Sequence, residues 1–196
     1  ALLSRKAKEL GLFLHLDGAR IWNAHVASGV SLLEYGKHFE TISVCLSKGL
    51  GAPVGSLMIS NKERISSSRV WRKRYGAGMR QVGMLAAAGH YALDHNISRL
   101  IDDHRKAKQL AIACASVAPS TINPDFVETN IVGLELSGAN VSALEFASDA
   151  KQKGLLVSAL GKSYLRLVTH MDIDDEANER ACAILQELLK HAFMAK

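Results

Sequence analysis

The sequence predicts an α/β fold followed by a smaller α+β unit. Two short apolar runs rich in β-formers, residues 12–16 and 41–46, are separated by helical periodicity. Each leads into a chemistry-bearing residue before a glycine: Asp17-Gly18 and Lys48-Gly49. Further along, runs at 131–136, 155–159 and 164–168 alternate with amphipathic helical stretches. With 196 residues and a 48% hydrophobic fraction, the chain is long enough to bury a sizeable core.

Taken in order, residues 1–10 read as an amphipathic helix stopped by Gly11. It has no apolar core segment, so no signal peptide is expected. Residues 12–16 read as a strand, and its period of two puts His15 and Asp17 on one face. A short helix covers 21–27 and stops near Gly29, and a further helical turn covers 32–35. Residues 41–46 and 56–60 read as strands. Between them, 49–55 is a loop, because Gly and Pro recur through it. Ser60 or Asn61 caps a basic helix through Ile65, Val70 and Trp71.

Gly76-Ala77-Gly78 breaks that helix, and Met79 is expected to open a long one, buried over 81–93. Residues 97–117 read as an amphipathic helix. Pro119 and Pro124 bracket a linker. After it come strand 131–136, helix 141–153, strands 155–159 and 164–168, and helix 174–193, whose first turn is acidic.

Several function classes recede on composition. A net charge of +5 permits nucleic-acid binding but does not argue for it. No apolar run approaches the roughly eighteen residues a membrane span needs. Cys45, Cys114 and Cys182 are scattered without a C-x-x-C pair, so reduced thiols are expected and a cytoplasmic location follows. The histidines show no metal-ligand spacing, so no metal is expected.

The chemistry-bearing residues suggest more. In open α/β sheets, ligands bind at the carboxyl ends of strands. A strand-end Asp17, Arg20 three residues on and a strand-end Lys48 suit pyridoxal 5′-phosphate (PLP). That cofactor needs a lysine for its aldehyde and a carboxylate for its pyridinium nitrogen. Each residue also has a plainer reading: Lys48 as a surface lysine after an edge strand, Asp17 as a turn residue before glycine, Arg20 as a surface residue opening a helix. His15 reads as a proton relay or as a satisfied core histidine. Arg166, within Tyr164-Leu165-Arg166-Leu167-Val168, wants a carboxylate, either a substrate's or that of Asp172.

Four stretches resemble, in order, motifs of the low-specificity L-threonine aldolase family, which are fold-type-I, PLP-dependent enzymes. They are His15-Leu16-Asp17-Gly18-Ala19-Arg20, Leu46-Ser47-Lys48-Gly49-Leu50-Gly51-Ala52-Pro53, Gly76-Ala77-Gly78-Met79-Arg80-Gln81 and Arg166-Leu167-Val168-Thr169-His170. The resemblance runs from about residue 1 to about residue 190. It implies the C-terminal portion of such a subunit: part of an aspartate aminotransferase-like large domain with a bridging helix over 1–117, and a small α+β domain over 118–196. The family's phosphate-cradling loop and ring-stacking residue are expected to belong to a companion N-terminal segment.

The resemblance also implies roles. Lys48 holds PLP covalently, Asp17 partners its ring nitrogen, and Arg20 contacts it near the phenolate oxygen. Lys73 and Arg80 are cations of the phosphate region, with Arg80 reaching a neighbouring subunit of a homodimer or homotetramer. Arg166 binds the substrate carboxylate, and His15 is a candidate base. The implied reaction is cleavage of L-threonine or L-allo-threonine to glycine and an aldehyde. Two alternatives stay open: β-elimination or amino-group transfer on the same scaffold, and an inactive C-terminal fragment that needs its N-terminal half.

Overall fold

The computed structural model describes residues 1–194. The chain divides into two units, Ala1–Leu100 and Ile101–Lys196. The division falls after the first residue of the long helix that begins at Leu100. The side chains explain this. Ala107, Leu110, Ala111 and Cys114 of that helix are buried with the strands and helices that follow it, whereas Leu100 belongs to the preceding core.

In the first unit, α1 (Leu2–Glu9) leads to β1 (His15–Gly18), α2 (Ile21–Ser28), α3 (Leu32–Gly36), β2 (Thr41–Cys45), β3 (Ser56–Ser60), α4 (Lys62–Arg74) and α5 (Gly83–His95). The strands form one sheet in the order β1-β2-β3. β1 and β2 run parallel, with Asp17 opposite Ser43, and β3 runs antiparallel to β2. Alternation along β2 buries Ile42 and Val44 and leaves Thr41, Ser43 and Cys45 half-buried. The buried face meets Ile21, Trp22, Leu46, Leu50 and Ala92. His15 and Asp17 share the opposite, polar face with Thr41 and Ser43, as the period of two requires.

β1 starts at His15, later than the expected 12–16, because Leu14 is committed to the loop before β2. Its N–H donates to Glu40 Oε2 at 2.7 Å, and its carbonyl accepts from Glu40 N at 3.0 Å. That backbone N–H holds the Glu40 carboxyl below its usual range, helped by the charges of Lys8 and Arg64. A depressed carboxylate stabilises the fold fully above its unfolded pKa of 4.5, and that contribution disappears as pH falls through the lower folded value. Glu40→Gln should therefore flatten part of the acid limb when unfolding is followed from about pH 6 to about pH 3. An acid limb identical to wild type would mean that this bond carries no stability.

Asn61, one of the two expected caps, starts α4 by accepting the Arg64 N–H at 2.9 Å. α5 opens at Gly83 rather than Met79. Gln81 sits at φ +51°, a left-handed conformation that cannot continue a helix. Nor is α5 buried as expected: only Gly89 and Ala92 are, while Met84 is 86% exposed.

The second unit holds α6 (Leu100–Val117), whose first residue still counts with the preceding core, then β4 (Ile131–Glu135), α7 (Ala143–Gln152), β5 (Ser158–Ala159), β6 (Tyr164–Val168) and α8 (Asp175–Phe193). Its antiparallel sheet has the order β4-β6-β5. Val132, Leu134, Leu165 and Leu167 point into a core with Phe146, Leu185 and Leu189. Ser142 and Glu145 form a reciprocal capping box on α7, and Asp174 caps α8. β5 is shorter than the expected 155–159, because the Leu155 N–H is still engaged by the Ala150 carbonyl at the end of α7.

Cys114 is buried, and burial pushes its thiol up to about 12. No helix among the described residues is long and apolar enough to cross a membrane, and none of their His, Cys, Asp and Glu side chains form a group of three or more suited to a metal ion.

Candidate active site

Because β1 and β2 are parallel neighbours, their carboxyl ends lie at one edge of the sheet. Asp17 sits at that edge on β1, exposed, and one of its oxygens accepts the Ala19 N–H at 3.1 Å. The turn-forming role open to this residue is thus realised, and it occupies Oδ1 alone. Arg20 follows at the N-terminus of α2, half-buried and making no cap bond.

Lys48 lies just past β2, exposed, on a loop held from several directions. Leu46 N donates to the Gly55 carbonyl at 3.0 Å, Ala52 N to the Leu46 carbonyl at 3.0 Å, and Gly51 N to the Lys48 carbonyl at 2.9 Å. Leu50 is buried in the core, and its carbonyl accepts from Asn96 Nδ2 at 2.7 Å. Arg99 donates to the Gly49 carbonyl at 3.3 Å. Beneath the end of β2, the Trp22 indole N–H donates to the Cys45 carbonyl at 2.8 Å. Among the described residues no carboxylate pairs with Lys48; the backbone bonds fix where its Cα sits, and its side chain is exposed.

Sequence reasoning missed Asn96 and Arg99. Their only sequence signal was an asparagine where the alanine-rich helix ends. Trp22 is buried in the core, and its indole nitrogen adds the tie to β2.

His15 stands two residues before Asp17 on the same face, with Nδ1 2.8 Å from Thr41 Oγ1. That contact orients the ring. Lys73, at the end of α4, folds back along the glycine turn. A Cβ on Gly78 would fall 2.8 Å from Lys73 Cδ, so the side chain occupies the space that a larger residue would take. Arg80 lies two residues beyond, exposed, next to the left-handed Gln81.

In the second unit, Arg166 is central on β6, paired in register with Gly133. Its Nε is buried with no hydrogen-bond partner. The structural alternative, an ion pair with Asp172, is not formed. Asp172 Oδ2 lies 3.2 Å from His170 Nδ1 instead. A buried guanidinium nitrogen without an acceptor is costly unless a ligand supplies one.

The sheet edge thus carries a carboxylate and, one loop away, an exposed amine, on an α/β unit. A solved threonine aldolase from Leishmania major has the same fold, with a TM-score of 0.70 at 19% identity over 95% of this chain and 55% of that one. The family model described as Beta-eliminating lyase matches residues 2–137, and the chain belongs to that family. Low specificity L-threonine aldolase from Escherichia coli strain K12 is 40% identical over 191 residues, 96% of this chain and 53% of that protein. Low-specificity L-threonine aldolase 1 from Arabidopsis thaliana is 39% identical over 168 residues, 85% of this chain and 47% of that protein. The chain spans about half the length of the curated relatives it matches.

Proposed function

We propose that the protein is a PLP-dependent aldehyde-lyase that cleaves L-threonine, L-allo-threonine and related β-hydroxy-α-amino acids to glycine and an aldehyde. One observation carries the reading: parallel strands bring Asp17 and the backbone-fastened loop that carries Lys48 to one sheet edge. The names of the relatives support the substrate class.

The donor set fits the cofactor. Lys48 offers an amine for the aldehyde, and Asp17 has an oxygen beyond the one engaged by Ala19 for the ring nitrogen. Arg20, Lys73 and Arg80 supply cations for the phenolate and phosphate. When bound, PLP supplies a sink for the electron pair left on the α-carbon once the bond to the β-carbon breaks.

The remaining tasks fall to the chain itself. With the cofactor bound, Asp17 would hold the ring nitrogen and favour its protonated form, as a carboxylate does for a neighbouring cation. Arg166 grips the substrate carboxylate with two parallel N–H donors, which fixes the amino acid's orientation. We assign His15 Nε2 to the proton of the β-hydroxyl, since Nδ1 is engaged by Thr41.

Arg166→Lys keeps the charge and loses the planar fork. It should raise KM for L-threonine and lower kcat/KM by roughly tenfold or more, with PLP binding little changed. Wild-type kinetics would make Arg166 structural. The matched family's description favours one second reading, β-elimination. A product assay that finds ammonia in place of acetaldehyde would select it.

We further propose a homo-oligomer, a dimer or tetramer, in which Arg80 serves the neighbouring subunit's site. Trp71, Tyr75, Met79, Met84 and Tyr91 expose an apolar surface around the glycine turn and α5, and that surface supports the reading. Subunits carrying Arg80→Ala and subunits carrying Lys48→Ala should each be nearly inactive. A mixed dimer should regain one intact site of two. Equal inactivity after verified subunit exchange would place Arg80 within its own chain's chemistry, or outside it.

A further inference from the structure

We propose that Tyr164 is a substrate-positioning residue whose hydroxyl shares the carboxylate pocket of Arg166, and that Gly133 exists to make room for it. The proposal rests on the reading of Arg166 as the carboxylate-binding residue. Tyr164 and Arg166 project from the same face of β6, two residues apart. The register sets Arg166 opposite Gly133 and Tyr164 opposite Glu135.

The Tyr164 ring does not stand over its own partner. It leans along β4 so that its hydroxyl lies over Gly133. A Cβ built on Gly133 would collide with Tyr164 Oη and come within 2.7 Å of Cζ. Only glycine at 133 permits this placement. The result is a phenol O–H set above the residue directly across from Arg166. Among the described residues that hydroxyl has no hydrogen-bond partner. Beside it, Arg166 Nε is buried without an acceptor. One sheet face therefore carries a buried cationic donor without an acceptor and, over the residue paired with it, an exposed phenol donor. A carboxylate has two oxygens with about four acceptor sites, enough for both.

A purely structural account has the ring covering a glycine to strengthen the sheet. That account needs the aromatic ring but not the hydroxyl, so Tyr164→Phe separates the two.

Binding of glycine to the holoenzyme, measured by calorimetry, is the readout, with thermal unfolding as the check on fold. Tyr164→Phe should weaken glycine about tenfold and leave the melting temperature unchanged. Arg166→Lys should also weaken glycine. The double variant should lose less than the product of the two single losses, because the donors share one ligand group. Gly133→Ala should displace the ring and weaken glycine as Tyr164→Phe does. Weakening by Arg166→Lys with Tyr164→Phe within twofold of wild type would overturn the role of Tyr164 and leave the proposed function standing. No weakening by either single variant would overturn the carboxylate role of Arg166 and this inference with it. Weakening by Tyr164→Phe alone, or strictly multiplicative losses, would overturn the shared pocket.

Discussion

Lys48→Ala is expected to abolish the covalent cofactor adduct that borohydride would otherwise fix, and to lower turnover of L-threonine by roughly a thousandfold or more, about 4 kcal/mol of barrier. The fold should survive, because the Lys48 side chain is exposed and its loop is held by backbone bonds and by Leu50. Loss of the adduct with an unchanged unfolding midpoint would separate chemistry from stability. Peptide mapping of the borohydride-treated wild type should recover the cofactor on the peptide containing Leu46-Ser47-Lys48-Gly49. An adduct at full yield in the variant would remove Lys48 from its role.

The second large effect is on stability. Leu50 is 1% exposed and packs with Ile42, Val44 and Leu46, while its carbonyl is held by Asn96. Leu50→Ala should cost about 2–5 kcal/mol, the transfer term plus the cavity left behind. In urea the midpoint should fall with the slope unchanged. Because the same residue anchors the turn that carries Lys48, cofactor capture should slow even under conditions where the variant is folded. Leu33→Ala, at a side chain 74% exposed, should stay within about 0.5 kcal/mol of wild type. A wild-type midpoint for Leu50→Ala would mean that the loop is not fastened through this side chain.

Local chemistry was legible in the sequence where a strand end and a glycine coincide. Asp17 and Lys48 could be placed at strand ends because hydrophobic runs and turn residues fall at their boundaries. Caps were equally legible: Asn61 opens α4, and the acidic stretch at 174–176 opens α8. What could not be read was anything decided by distant residues. The start of α5 depends on a left-handed Gln81, a residue type without special preference for that conformation. β1 is shortened by a side chain twenty-six positions away in the chain, Glu40. The division near residue 100 depends on which core receives the apolar face of α6, and periodicity reports that a face is apolar without saying what covers it. For Arg166 the sequence left two acceptors open, and the pairing of Asp172 with His170 leaves the guanidinium for another acceptor.

The backbone bonds around Leu46 have a consequence for how this region can evolve. Leu46 donates to Gly55 and accepts from Ala52, so the stretch 46–55 is a hoop drawn together at its first residue, and β3 begins directly after it. The antiparallel pairing of β2 with β3 opposes Cys45 to Ser56, so the hoop's two ends are fixed by the sheet itself. A one-residue insertion or deletion inside 47–54 would leave that register intact but would have to rebuild the turn around buried Leu50 and its bond to Asn96. Drift in loop length, ordinarily the cheapest kind of change in a protein, therefore costs this segment the packing of Leu50.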